Sequence, residues 1–276
     1  MPIGPSSLVD LDRYPINRLD TPDGMALVER LRNDLENKAL AFLPGFLPPD
    51  VLERGIAEFA PLIPDAHRHD RMRRPWGWMD NRGFPDDHPR RAMHRTRGGM
   101  ITRDMPPADN LWQPLFAWPD LTEFVRWVLG FETLHCSADP YLALEIHIEG
   151  EGDGFAWHYD TNDDFVSLLL QFPDEGGHFQ YVPFLPNEDD EHFDEVARVF
   201  DGNSSRIEQL PIEPETFTLF RGRRSVHRVT TVGTTRQPRL IALFSYDRGP
   251  MMVFPERTHQ AAIKPDNAPH YGTPAS

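Results

Sequence analysis

Residues 154–163, GFAWHYDTND, decide how this chain is read. Phe155, Trp157 and Tyr159 share one parity, while Ala156, His158 and Asp160 share the other. Successive side chains of a β-strand point to opposite faces. A strand here therefore shows aromatics on one side and, beside a small alanine, a His-x-Asp pair on the other. Two polar side chains on a face cleared of bulk call for a ligand and for partners from neighbouring strands.

The surrounding sequence supplies those strands. From about residue 131 to 248, YLALEIHIE, GFAWHYD, DFVSLLLQF, GGHFQYVPFL, ETFTLFRG, SVHRVTTV and RLIALFSYD are short runs bounded by Gly, Pro, Asn or Asp. Many short strands separated by turns predict a mainly β fold, a double-stranded β-helix (jelly roll, cupin-like) closed around a pocket. One helix, DDEHFDEVARVFDG, interrupts them, and the acidic run 187–195 reads as its solvated start. Residues 1–130 read as a helical N-terminal part: an extended leader over 1–20, helices in 21–37 and in PPDVLERGIAEFAPLI, and a third in DLTEFVRWVLG closed by Gly130. Within it, 65–110 is dense in Arg, Pro and Gly, lacks a period, and is expected to be a long ordered loop covering the pocket mouth. Residues 249–276 form a Pro-rich tail, and the whole reads as a single domain.

Composition narrows the partners. The net charge of −15 argues against nucleic acid, whose phosphates need a positive face. No apolar run approaches the roughly 18 residues that span a bilayer, and the single Cys136 rules out a disulfide framework within one chain, so a cytoplasmic setting is expected. Neither Cys136 nor His135 carries a functional signal.

A metal on the His158–Asp160 face needs a third ligand from an adjacent strand, and FRGRRSVHRV offers His227 with Ser225 and Val229 on its parity. Two imidazoles and one carboxylate form the facial triad of non-haem Fe(II) oxygenases, leaving adjacent positions for a 2-oxo acid and O2. The distal carboxylate of 2-oxoglutarate would want a buried guanidinium, which binds it through two parallel hydrogen bonds. Arg239 opens the apolar strand RLIALFSYD in line with Ile241, Leu243 and Ser245; Arg236, in the preceding turn, reads as solvated.

With these residues assembled, the segment WHYD … FVSLLLQF … GGHFQYVPFL … TLFRGRRSVHRVTTV … RLIALFSYDRGP resembles the catalytic half of an Fe(II)/2-oxoglutarate-dependent oxygenase. More narrowly, it resembles the branch of free-amino-acid radical halogenases and their hydroxylase relatives. The resemblance implies a dioxygenase that converts 2-oxoglutarate and O2 to succinate and CO2 while oxidising a free amino acid or similar small polar metabolite. Halogenases of that branch carry a small residue at the carboxylate position to admit chloride; with Asp160 present, hydroxylation of an unactivated C–H is the expected outcome. Two rivals remain: a non-catalytic jelly-roll protein binding a metal or ligand, and a cupin dioxygenase that needs no 2-oxo acid.

Other candidates carry weaker signals. Glu145, flanked by apolar residues, is a candidate receiver for a substrate ammonium, against the plainer reading of an exposed polar strand face with His147 and Glu149. Arg95 and Arg97, before Gly98 and Gly99, are candidate carboxylate clamps on the lid, against a solvated basic loop. DTNDD resembles the start of an EF-hand loop, but its sixth position is Phe165 and its twelfth Gln171, where Gly and Glu are required. Trp157 and Tyr159 are expected to pack the outer face of their sheet on the N-terminal helices.

Overall fold

The computed structural model describes residues 4–187, 190–210 and 213–263 of the 276-residue chain. Its N-terminal part holds α1 (Pro22–Lys38), β1 (Leu40–Leu43), α2 (Pro49–Phe59), β2 (His67–Arg73), β3 (His94–Ile101), α3 (Trp112–Phe116) and α4 (Pro119–Leu129). The β-rich part follows with β4 (His135–Cys136), β5 (Leu144–Glu149), β6 (Phe155–His158), β7 (Phe165–Gln171), β8 (Phe179–Val182), α5 (Phe193–Phe200), β9 (Glu208–Gln209), β10 (Phe217–Phe220), β11 (Val226–Val229), β12 (Arg239–Phe244), β13 (Tyr246–Asp247) and α6 (Glu256–Ala262).

Local chemistry accounts for the helix limits. Thr21 caps α1 by accepting from the Gly24 N–H at 3.2 Å, and Pro22 opens the first turn, where a missing N–H costs nothing. Gly130 stops α4 with φ of 75°, a left-handed conformation that a Cβ would disfavour.

Two antiparallel sheets face each other. The larger runs β1-β10-β7-β12-β5-β3-β2 and the smaller β6-β11-β8-β9, as expected of a jelly roll. Strict alternation divides the labour of the larger sheet. Leu144, Ile146, Ile148, Val166, Leu168, Leu240 and Ala242 point outward into the main core beneath α1 and α4. Their neighbours of opposite parity face inward and line a cleft. Each outward Leu, Ile or Val side chain contributes roughly 1.5–3 kcal/mol on burial. Stability is thus concentrated on the outer face, which leaves the inner face free to carry polar groups.

Four expectations need correcting. The leader is not idle, because Leu8, Val9, Tyr14, Ile16 and Leu19 all enter the main core. Within 65–110, β2 and β3 pair as an antiparallel hairpin that extends the larger sheet, so Arg95 and Arg97 sit on a strand and not on a lid loop. Its residues are mostly polar because β2 is a half-buried edge, which hides the period-2 signal. Trp157 and Tyr159 are buried, but they pack with Trp76 and with Val196 and Val199 of α5, not on the N-terminal helices. The tail contributes α6, and part of the acidic run (Glu188 and Asp189) lies outside the described residues.

The hairpin also joins the two sheets. Arg97 and Gly154 exchange backbone hydrogen bonds of 2.9 Å in each direction, and Thr96 Oγ1 accepts from the Ala156 N–H at 3.2 Å. Beside this seam lies Asp153, only 1% exposed, which accepts from Arg68 at 2.9 and 2.8 Å and from the Gly150 N–H at 3.0 Å, and forms an ion pair with Arg97 at 3.0 Å. Removing this buried acceptor in Asp153→Ala strands two guanidinium partners and is expected to cost about 2–4 kcal/mol in urea unfolding. By contrast Asp70→Ala, which removes the exposed partner of Arg95, should cost at most about 1 kcal/mol.

Candidate metal centre and cleft

The cleft between the sheets has a volume of about 130 Å³, opens to solvent, and is walled by aromatic and aliphatic side chains, among them Phe155, Phe165, Leu169 and Phe220. Its polar groups come from both sheets. His158 ends β6 and His227 lies on β11, and the two are direct cross-strand partners with ring centroids 4.0 Å apart. One step further along, the pairing is irregular: Val229 lies opposite Phe155, three residues from His158 on β6 against two on β11. This bulge turns Phe155 to the cleft side, where its ring lies 4.5 Å from that of His158. Parity alone had placed Phe155 with Trp157 and Tyr159.

Hydrogen bonding settles the tautomers. His158 Nδ1 lies 2.8 Å from the Ala156 carbonyl and His227 Nδ1 lies 2.9 Å from the Ser225 carbonyl. A carbonyl only accepts, so both rings carry their proton on Nδ1 and present a bare Nε2. Both Nε2 atoms lie 3.5 Å from Asp160 Oδ1. Burial pushes the His158 imidazole down to about 3, with His227 acting in the same direction, so His158 is neutral across the physiological range.

Three lone-pair donors therefore converge with no proton between them, and Asp160 Oδ2 is buried without a hydrogen-bond partner. Such an arrangement is repulsive alone and is satisfied by a cation. Among the described residues it is the one group of His, Cys, Asp and Glu side chains found close enough to hold a metal ion. Two neutral imidazoles with Nδ1–H tethered to carbonyls, plus one carboxylate, suit a divalent first-row metal such as iron.

Arg239 opens β12 in the same cleft, its side chain 4% exposed. Its register partner is Glu149 on β5, and Nη1 donates to Glu149 Oε2 at 3.0 Å. Its Nε–H has no partner, which leaves donors of the planar fork for an anion. Ser167 and Thr218 line the cleft as well, on the adjoining β7 and β10. Arg236, as expected, is exposed and paired with Asp174 at 2.7 Å.

The remaining candidates are placed differently. Glu145 faces inward but pairs with His147 Nε2 at 2.9 Å and borders an adjoining cavity of about 400 Å³, which shares Phe165 and Leu243 with the cleft. Arg95 pairs with Asp70 and Arg97 with Asp153, and neither lines the cleft. Sequence reasoning missed Arg73, on β2. Its guanidinium stands 5.1 Å from the Phe155 ring centre, and burial lowers it to about 10 while Asp160 opposes the shift. It takes part in no ion pair among the described residues. The only signal for it was its place in RMRRPW, and that does not show which arginine the hairpin turns toward Asp160.

A double-stranded β-helix with two imidazoles and one carboxylate at its mouth is the arrangement of the Fe(II)/2-oxoglutarate-dependent oxygenases. Several solved structures resemble the chain in fold. The epimerase SnoN in complex with Fe3+, alpha ketoglutarate and nogalamycin RO is 17% identical over 80% of this chain and 84% of its own, with a TM-score of 0.54. AviO1 from Streptomyces viridochromogenes Tue57 is 15% identical over 83% and 96%, with a TM-score of 0.53. An oxidoreductase of the 2OG-Fe(II) oxygenase family from Burkholderia pseudomallei is 13% identical over 80% and 91%, with a TM-score of 0.50. No curated protein gives a significant match. The chain belongs to the Halogenase D family, whose profile matches residues 24–252, and with it to the Fe(II)/2-oxoglutarate oxygenase superfamily. Among the described residues, no helix is long and apolar enough to cross a membrane.

Beside the cleft, His69 on β2 is a half-buried imidazole, its Nε2 without a partner. Burial, reinforced by Arg71, His147, Arg68 and Arg73, pushes it down to about 3. Unfolded chains take up this proton near pH 6.5, whereas the folded protein refuses it until about pH 3. Its contribution is therefore fully present above about pH 6.5 and is lost as pH falls, at about 1.4 kcal/mol per pH unit. Urea unfolding stepped from about pH 6 to 4 should show His69→Leu flattening the decline by about that slope.

Proposed function

We propose that this protein is an Fe(II)/2-oxoglutarate-dependent dioxygenase that hydroxylates an unactivated C–H of a free amino acid or similar small polar metabolite. The convergence of His158 Nε2, His227 Nε2 and Asp160 Oδ1 carries this reading, because these atoms repel one another unless a cation lies among them. His158, Asp160 and His227 would hold the iron, and Arg239 would bind the distal carboxylate of 2-oxoglutarate. When bound with 2-oxoglutarate and O2, the iron supplies the oxidising chemistry, with succinate and CO2 as co-products.

The chain's own residues do the rest. Carbonyls of Ala156 and Ser225 hold the two rings in one tautomer and orientation. Glu149 occupies one edge of Arg239 and orients the remaining donors. Phe155, Phe165, Leu169, Phe179 and Phe220 keep water from the cleft. On the substrate side, Arg73, whose charge acts on Asp160 although it does not line the cleft, is a candidate cation for an amino-acid carboxylate in place of Arg95 and Arg97. Glu145 offers a carboxylate for an ammonium from the adjoining cavity. Asp160 fills the coordination position that a halide would need, which favours hydroxylation over halogenation.

Anaerobic titration of metal-free protein with Fe(II) and then 2-oxoglutarate should produce a visible charge-transfer band. Arg239→Ala should need about 10- to 100-fold more co-substrate to develop it, as expected for loss of a charged hydrogen-bonded pair. An amino-acid screen by succinate release should then yield a product heavier by one oxygen atom, unchanged by added chloride. Iron-loaded, folded protein that shows no band at millimolar 2-oxoglutarate would sink the reading.

A further inference from the structure

Gly222 opens a 3-10 turn (Gly222–Arg224) between β10 and β11 and is buried. Its φ lies outside the left-handed region, so backbone conformation does not demand a glycine there. Space does. A Cβ placed on Gly222 would lie 1.8 Å from Asp160 Oδ2, 2.7 Å from Asp160 Cγ and 3.1 Å from Asp160 Cβ. The obstructed atoms are the carboxylate itself, so a Cβ there could be accommodated only by displacing Asp160 from its present position. The Gly222 carbonyl meanwhile accepts from the Asp160 N–H at 3.1 Å. One residue thus fixes the Asp160 backbone and gives its side chain room.

The result is visible in how the two carboxylate oxygens are used. Oδ2 lies buried against Gly222 without a hydrogen-bond partner, and this turns Oδ1 to a point 3.5 Å from each imidazole Nε2. Hydrogen bonds do not aim this carboxylate; shape does. We propose that Gly222 is a positioning residue for the metal centre, required only because residue 160 carries a carboxylate, so that the two positions act as one steric unit. The inference rests on the metal-binding reading of His158, Asp160 and His227.

Co(II) binding to metal-free protein, measured by calorimetry, tests it without turnover. Gly222→Ala should weaken binding about 10- to 100-fold, as for loss of a group that orients a ligand. In an Asp160→Gly background the same substitution should change affinity by no more than about twofold, since nothing remains to be displaced. Equal losses in both backgrounds, or no loss in either, would show that Gly222 has no specific tie to the carboxylate and would overturn the proposal. If Gly222→Ala alone does not fold, the double variant decides: recovery of the Tm of Asp160→Gly supports the steric unit, and continued failure to fold refutes it. Wild-type protein that binds no Co(II) at all would instead remove the metal reading beneath the proposal, which an additive cycle in a metal-binding protein leaves standing.

Discussion

Two imidazoles face each other across one antiparallel pair, β6 and β11, and nearly everything functional follows from that contact. A direct cross-strand pair brings side chains close on one face of a sheet. Here it brings two nitrogen lone pairs to the same point, and Asp160, two residues beyond the end of β6, closes the third side. Each ring is held by a carbonyl two residues earlier in its own chain. Their orientation is therefore local, and only their proximity depends on the fold. The bulge next to His158 adds an aromatic wall by turning Phe155 inward, at the cost of regular pairing over a four-residue strand.

A second constraint acts at the other polar group of the cleft. Arg239 and Glu149 are each about 4% exposed and are register partners on neighbouring strands. A guanidinium buried so deeply needs a compensating carboxylate in the folded protein, since an unpaired buried charge is strongly destabilising. Glu149 meets that need while leaving Arg239 Nε without a partner. The pair is thus sufficient to keep the cleft stable and insufficient to satisfy the arginine, which is the condition for a site that binds an anion reversibly.

Much of this was legible in the chain because its signals are local. The strands β5, β7, β10 and β12 could be read from alternation and turn residues, and His158, Asp160, His227 and Arg239 stand on faces that the alternation assigns. What escaped depends on long-range pairing. The β2–β3 hairpin carries no apolar alternation, since β2 is a polar edge, so Arg73 could not be placed near Asp160. For the same reason Arg95 and Arg97 looked available, although Asp70 and Asp153 hold them. Phe155 was assigned to the wrong face because a bulge shifts parity without marking the sequence. The reason for glycine at 222 is also invisible from spacing: 62 positions separate Thr161 from Arg223, whose Nη1 donates to the Thr161 carbonyl, and only folding brings those two segments together.

The tethering of each imidazole to its own strand has a thermodynamic consequence. Since neither ring needs the other to be oriented, an ion bound between them acts on the pairing of β6 with β11 alone, as a removable cross-link in the smaller sheet. Such a ligand binds the paired state and not the separated strands. At a free concentration about one hundred times its Kd, it would stabilise the folded chain by about 2.7 kcal/mol. Metal supply would then set how long this sheet stays closed, independently of any turnover.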